Sequence, residues 1–182
     1  MPSLPKILQC QQVAQSKLFR VEQLQLQFSN GEQRTYERLA GGKTAAVIIV
    51  PMLDNDTVLL IREYGVGVEG YELGLPKGKV DAGETHIEAA NRELKEEVGY
   101  GAKDLQLMKC LSQSPNYMQH KTQIVLARNL YPERLEGDEP EPLDVVPAKL
   151  SELEQWLARD DLTEARSIAA LLLARQYLQS LK

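Results

Sequence analysis

The sequence predicts an α+β fold, a mixed β-sheet with helices on both faces (an α/β/α sandwich), preceded by a small N-terminal antiparallel hairpin region. Three observations predict it: short apolar strands fill much of the chain, a capped helix interrupts them, and two helices close the sequence. The 182 residues suffice for one domain with a small appendage. A chain of this length buries roughly 70% of its unfolded surface, so it needs no disulfide or metal to fold.

Composition and charge exclude several classes of protein. With 43% hydrophobic and 26% charged residues, the chain resembles an ordinary soluble globular protein. Its 21 basic and 26 acidic residues give a net charge of −5, which argues against a nucleic-acid partner. Two cysteines and two histidines are too few for a zinc framework. A bound metal would therefore be held by carboxylates, which favours magnesium, manganese or calcium.

The N-terminus and the hydrophobic runs predict a cytoplasmic protein without a membrane partner. The longest nearly apolar run, residues 45–53, is far shorter than the roughly 20 residues of a membrane helix. The first residues lack the apolar core of a secretory signal.

The first predicted element is a hairpin over residues 21–39. Apolar residues alternate there with glutamines, and Asn30 and Gly31 supply the turn. Residues 40–43 contain two glycines and predict a hinge. An isolated hairpin is marginally stable in water, so this one needs a surface on which to pack.

The middle of the chain predicts two buried strands and a long loop. The strands cover residues 45–50 and 57–62, on either side of an Asp-Asn-Asp turn. Residues 64–84 contain seven glycines or prolines, which indicates a long structured loop. Long loops on a compact scaffold tend to be functional.

A helix is predicted to follow this loop and to begin at Thr85. Thr85 and Glu88 form a capping-box pattern, and Gly99 is placed to end the helix. Further strands are predicted at residues 105–111 and 122–127, and an acidic, proline-rich segment at 131–147. Two helices follow at about 150–158 and 163–181. The core stripe of the second is predicted to be Ile168, Leu171, Leu172 and Leu178.

The helix after the glycine-rich loop carries three glutamates on one face. Glu93, Glu96 and Glu97 have i, i+3 and i+4 spacing. A solvated acidic face is the ordinary interpretation of such a pattern. Here, however, the like charges repel one another, few bases offset them, and the loop before them carries Lys77 and Lys79. Carboxylates beside a backbone turn are what a hard divalent cation requires.

These residues reproduce a known motif. Gly78, Glu84, the Arg92–Glu93–Leu94 run, Glu96–Glu97 and Gly99 match every fixed position of the Nudix box, G-x5-E-x7-R-E-U-x-E-E-x-G-U. The chain thus resembles a Nudix hydrolase, with the family domain over residues 42–182 and an N-terminal region over 1–41. The final position of the box, usually aliphatic, is Tyr100, a departure that concerns packing more than chemistry.

The resemblance implies a metal-dependent pyrophosphohydrolase that acts on a nucleoside diphosphate linked to another group. By the family pattern, Glu93, Glu96 and Glu97 would bind Mg2+, with Mn2+ as a substitute, together with the backbone carbonyl of Lys77. Arg92 would orient the glutamates. The resemblance implies that Arg92 and Glu97 are both catalytic residues. Two roles stay open: Glu84 supports the helix or contacts the metal, and Lys79 reaches a phosphate or is solvated.

A finer resemblance points to the ADP-ribose pyrophosphatases. Pro115 lies 15 residues after Tyr100, a spacing similar to the marker of that subgroup. Three stretches, residues 71–74, 91–99 and 135–142, resemble its hydrolases of ADP compounds. The resemblance implies that ADP-ribose, NADH or diadenosine oligophosphates are cleaved to release AMP. It also implies a homodimer that covers the hairpin, and Arg62, Arg38, Glu72 and Lys79 as substrate-binding candidates.

The acidic segment offers a catalytic residue outside the box. In ADP-ribose pyrophosphatases a loop glutamate after the box acts as base or metal ligand. Glu139 is the closest match, with Glu136 and Glu141 as alternatives, and a solvated loop is the competing interpretation. A non-catalytic module that senses ADP-ribose or NAD is the alternative function. The intact box argues against it, and the absence of a basic stripe argues against RNA decapping.

Overall fold

The computed structural model describes residues 3–41 and 45–181, so Gly42 and Lys43 of the predicted hinge lie outside the described residues. The chain divides into two compact units. The first contains Met1–Lys43 and Ser112–Lys121, and the second contains Thr44–Leu111 and Thr122–Lys182.

The first unit contains an antiparallel sheet of three strands, β1 (Lys6–Gln15), β2 (Arg20–Gln27) and β3 (Gln33–Leu39), in that order. The β2–β3 pair confirms the predicted hairpin, but the prediction of a hairpin alone was wrong because it omitted β1. All ten residues of β1 are exposed, and its register with β2 shifts twice. A strand without a buried face has no apolar alternation by which a sequence could reveal it.

This N-terminal sheet buries little of its apolar surface. Leu24 is buried, whereas several large apolar side chains of the unit are exposed, namely Leu4, Ile7, Leu8, Val13, Leu18, Phe19 and Tyr36. Several exposed large apolar side chains in one small unit favour an interaction surface there.

The second unit contains the remaining elements. Its strands are β4 (Ala46–Pro51), β5 (Thr57–Gly65), β6 (Gly70–Gly74), β7 (Lys77–Lys79), β8 (Tyr100–Gln113), β9 (His120–Pro132) and β10 (Asp144–Lys149), of which β8 and β9 extend into the segment grouped with the first unit. Its helices are α1 (His86–Glu93), α2 (Leu153–Leu157) and α3 (Ala165–Gln179).

Alternation along β4 places helices on both faces of the sheet. Val47 and Ile49 pack in one apolar cluster with residues of α1, and Ile48 and Val50 pack in another with residues of α3. Successive side chains of a strand point to opposite faces, so every second residue enters the same cluster. The predicted α/β/α sandwich is confirmed.

The sheet of the second unit is mixed. β4 lies between β7, with which it is antiparallel, and β9, with which it is parallel, and β8 follows β9. A second group of three strands has the order β10-β5-β6, with both pairs antiparallel. Pro147 lies in β10, an edge strand, where a missing backbone N–H is tolerated.

Three predictions about local structure were wrong. Residues 64–84 are not one loop, because β6 and β7 lie within them; their glycines allow close approach, as at Gly74 against Ser167. The acidic segment is shorter than predicted, because β9 runs to Pro132 and β10 begins at Asp144. In α3, Leu171 is buried as predicted, but Leu172 is exposed, and the other buried residues of the helix are Ser167, Ala170 and Ala174.

Within residues 3–41 and 45–181, the longest helices are too short or too polar to cross a membrane.

Candidate active site

A cleft of about 470 Å³ lies where three elements meet: β7, the C-terminal half of the helix of the Nudix box (residues 86–98, hereafter the box helix), and the acidic loop (residues 133–143). Seven acidic and three basic residues line it, so carboxylates dominate. The lining residues are Lys77, Gly78, Lys79, Asp81, Arg92, Glu93, Glu96, Glu97, Glu136, Gly137, Asp138 and Glu139.

The box helix begins and ends as predicted, but it changes form in the middle. Thr85 accepts from the backbone N–H of Glu88, and the Glu88 carboxylate accepts from the backbone N–H of Thr85, so the capping box is confirmed. Gly99 ends the helix with a φ of +82°, which favours glycine. Between them, Leu94–Val98 form a π-helical turn. Such turns are rare and frequently occur at functional sites, and this one carries Glu96 and Glu97.

Arg92 ties the acidic side chains of the helix to the loop before it. Its guanidinium donates to Glu84 at 2.8 Å, to Glu93 and Glu96 at 2.9 Å each, and to the backbone carbonyl of Lys79 at 2.9 Å. Glu84 also accepts from the backbone N–H of Asp81, and the hydrogen bonds with Arg92 hold its pKa below the usual range. Both carboxylate oxygens of Glu84 thus accept hydrogen bonds from Arg92 or from the backbone of the loop.

Gly78 lets the loop approach the helix closely. A Cβ at this position would lie 2.0 Å from the carboxyl carbon of Glu93, so a side chain here would displace the glutamate. Burial of the Glu93 carboxyl raises its pKa, against the opposing charge of Arg92.

Glu97 is the most buried acid of the cleft, with 5% of its surface exposed. Its carboxylate accepts a hydrogen bond of 2.9 Å from the backbone N–H of Lys77. Burial raises the pKa of Glu97 to about 8, although the nearby Lys77 charge acts in the opposite direction. The Lys77 ammonium itself forms an ion pair with Glu63 of β5.

Backbone and side-chain contacts hold the acidic loop at both ends. At its start, the backbone N–H groups of Glu133 and Leu135 donate to the carbonyls of Gly99 and Lys95, at 3.1 and 3.2 Å. The Lys95 ammonium also pairs with the Glu133 carboxylate at 3.0 Å. Near its end, the hydroxyl of Tyr71 donates to Glu141 at 2.5 Å. These contacts place residues 136–139 at the cleft.

The three loop glutamates occupy different places. Glu136 and Glu139 line the cleft, whereas Glu141 is bound to Tyr71 outside the lining. Burial raises the pKa of Glu139, and the charges of Glu63 and Asp138 raise it further.

The four substrate-binding candidates lie in different parts of the structure. Lys79 lines the cleft. Arg62 pairs with Asp161 at 3.0 Å, and Glu72 accepts from the Thr163 hydroxyl. Arg38 lies in the N-terminal sheet, where it pairs with Glu22 at 2.9 Å. Of these four candidates, Lys79 alone belongs to the cleft lining, among the residues that the structure describes.

Sequence reasoning missed three acidic residues at this site. Asp81 and Asp138 line the cleft, and Glu63 pairs with Lys77 beside Glu97. Glu63 directly follows Arg62 in β5, and strand alternation would have separated the directions of these two side chains. The sequence alone did not show which direction leads to the helix glutamates.

The chemistry of this cleft fits a hard divalent cation. Seven carboxylates and three cations line the cleft, and the carboxylate of buried Glu97 accepts a hydrogen bond from the backbone N–H of Lys77. The glutamates are not arranged as a closed cage, because Arg92 draws Glu93 and Glu96 toward itself. In the described part of the chain, no three His, Cys, Asp or Glu side chains converge on one point. The oxygen donors of the cleft fit a divalent cation, and the glutamate side chains would have to rotate to bring them to one point.

Comparison with known proteins identifies the family. Residues 5–38 match the NudE-type Nudix hydrolase N-terminal domain, and residues 42–176 match the NUDIX domain. The chain therefore belongs to the Nudix hydrolase family, whose members are enzymes that act on diphosphate bonds and generally need divalent metal ions.

Two relatives and one solved structure refine this assignment. The ADP compounds hydrolase NudE of Escherichia coli (strain K12) is 53% identical over 175 residues, covering 96% of this chain and 94% of that protein. An ADP-ribose pyrophosphatase of Bacillus subtilis (strain 168) is 28% identical over 74% of this chain and 71% of its own length. A crystal structure of an ADP compounds hydrolase matches with a TM-score of 0.93 and 51% identity, covering 100% of this chain and 97% of that one. The predicted resemblance to hydrolases of ADP compounds is confirmed.

Proposed function

We propose that this enzyme cleaves the diphosphate of ADP-linked compounds, among them ADP-ribose, NADH and diadenosine oligophosphates, and releases AMP. The observation that carries the proposal is the complete Nudix box around an acidic cleft, in a chain whose 53% identical relative is an ADP compounds hydrolase. An intact box also favours catalysis over the alternative of a non-catalytic sensor.

Glu93, Glu96 and Glu97 are proposed to hold the metal, together with the backbone carbonyl of Lys77. When bound, divalent cations neutralise the diphosphate oxygens and lower the pKa of a coordinated water. Mg2+ is the proposed ion, with Mn2+ as a substitute, because carboxylate and carbonyl oxygens suit both. Arg92 orients Glu93 and Glu96 through its hydrogen bonds of 2.9 Å to each.

Glu139 is proposed to act as the base or as a further ligand from the acidic loop. It lies in the cleft lining, and its raised pKa suits a group that takes up a proton. Lys79 is proposed to contact a phosphate. Arg62, Glu72 and Arg38 remain substrate-binding proposals, and each would first have to leave its present partner.

A nucleotide panel tests the proposed activity. The purified protein is incubated with Mg2+ and ADP-ribose, NADH, a diadenosine oligophosphate or ATP, and the products are separated by chromatography. We expect AMP from the first three substrates and slow turnover of the triphosphate. A triphosphate that turns over faster than ADP-ribose and NADH would contradict the proposal.

A homodimer is proposed to cover the N-terminal sheet. The sheet leaves Ile7, Leu8 and Val13 of β1 between 44% and 59% exposed, which is costly for apolar side chains in water. Light scattering at micromolar concentration should give twice the mass of the chain. A monomeric mass at that concentration would rule the dimer out.

A cytoplasmic location also stays a prediction.

A further inference from the structure

Two of the three cations that line the cleft, Arg92 and Lys77, form ion pairs with carboxylates other than Glu97 and Glu139. Arg92 binds Glu84, Glu93 and Glu96. The ammonium of Lys77 binds Glu63, a residue of β5 that is outside the Nudix box. Within the described residues, neither the Arg92 guanidinium nor the Lys77 ammonium forms an ion pair with Glu97 or Glu139.

Lys77 is the cation best placed to interfere with metal binding. Its backbone N–H is hydrogen-bonded to Glu97, and its charge acts on both Glu97 and Glu139. A lysine ammonium is a compact charge on a flexible stem with rotatable donors. Only 22% of the Lys77 side chain is exposed, so solvent competes little for it. Without Glu63 as a partner, this ammonium would be available to pair with Glu97 or Glu139, on which its charge already acts.

We propose that Glu63 is a positioning residue that holds the Lys77 ammonium in an ion pair and so keeps it from pairing with Glu97 or Glu139, which leaves these carboxylates free for a divalent cation. The inference rests on the proposed metal-dependent function. It adds that the affinity of the site for metal depends on an ion pair between β5 and β7, outside the helix that supplies the ligands.

Two simpler roles for Glu63 must be separated from this one. As a bare negative charge, or as a metal ligand itself, Glu63 would favour cation binding whether or not Lys77 carries an ammonium. As a partner of Lys77, it has an effect only while the ammonium is present. A double-mutant cycle measures this dependence directly.

The cycle uses wild-type protein, Glu63→Gln, Lys77→Met and the double variant, with Mn2+ as the probe. Free Mn2+ is measured by electron paramagnetic resonance in the absence of nucleotide. We expect E63Q to weaken Mn2+ binding by about 10-fold, the lower end for groups that orient metal ligands. We expect K77M to bind Mn2+ at least as tightly as the wild type, and the double variant to bind within about 3-fold of K77M.

Three results would overturn the proposal, and the first two are an unchanged Mn2+ affinity in E63Q and an equal loss of affinity on E63Q substitution with and without Lys77. Absence of Mn2+ binding by the wild type would overturn it as well. Because no nucleotide is present, the result is independent of which substrate the enzyme cleaves. If ADP-ribose is hydrolysed while E63Q leaves Mn2+ affinity unchanged, this proposal fails and the proposed function stands.

Discussion

Replacing Glu97 with glutamine should reduce kcat by at least about 100-fold at saturating Mg2+, because it removes the charge of a proposed metal ligand at the centre of the site. The metal-free protein should melt no lower than the wild type. Glutamine keeps the shape of glutamate and can still accept the hydrogen bond from the backbone N–H of Lys77. It also removes a buried carboxyl whose charged form is disfavoured by desolvation.

Activity assays and melting curves in EDTA test this expectation together. Glu88→Gln is the matched control, since it makes the same change on the same helix, at a capping position outside the cleft lining. Its kcat should equal that of the wild type. Full activity of E97Q would refute the ligand role. A collapsed melting temperature would instead show that Glu97 maintains the fold.

Replacing Glu139 with glutamine should lower kcat by at least about 10-fold while KM changes little, as expected for the loss of a general base. The same substitution at Glu141 should have a smaller effect, because Glu141 lies outside the cleft lining and binds Tyr71. Glu136→Gln completes the set, since Glu136 also lines the cleft.

Steady-state kinetics of the three loop variants separate their roles. If E139Q keeps its kcat and E136Q loses activity, the proposed role passes to Glu136. If all three variants remain fully active, the acidic loop supplies neither base nor ligand. Then the interpretation as a solvated loop would hold.

The buried half of the fold could be predicted from sequence because burial imposes a pattern. The apolar runs of β4 and β5 and the capping box at Thr85 indicated their elements, and the structure contains them. β1 and β10 were missed for a physical reason. β1 has no buried face, and β10 carries a proline that usually argues against a strand. Edge and surface strands are set by backbone pairing, which leaves little trace in side-chain chemistry.

The residues of the candidate site also fall into those that the sequence could predict and those that it could not. Spacing along one helix predicted that the three glutamates share a face, because a helix fixes which side chains are neighbours, and the resemblance to the Nudix box added Arg92. Glu63 and Asp138 reach the site from a strand and a loop, through tertiary contacts that spacing does not encode. The π-helical turn at Leu94–Val98 was also beyond the pattern, because a helical repeat assumes regular turns.

The way in which the acidic loop is attached to the box helix decides how much of the loop can be exchanged in an engineered enzyme. Residues 133–135 are joined by backbone hydrogen bonds and an ion pair to the end of the box helix, so they behave as part of its C-terminal cap. The side chain of Arg134 also lies against Gly99, where a Cβ would be 2.8 Å from its Nη2. A loop grafted from another hydrolase should therefore replace residues 136–143 alone. A longer exchange would alter the end of the helix that bears Glu96 and Glu97, and would confound a change of specificity with damage to the ligands.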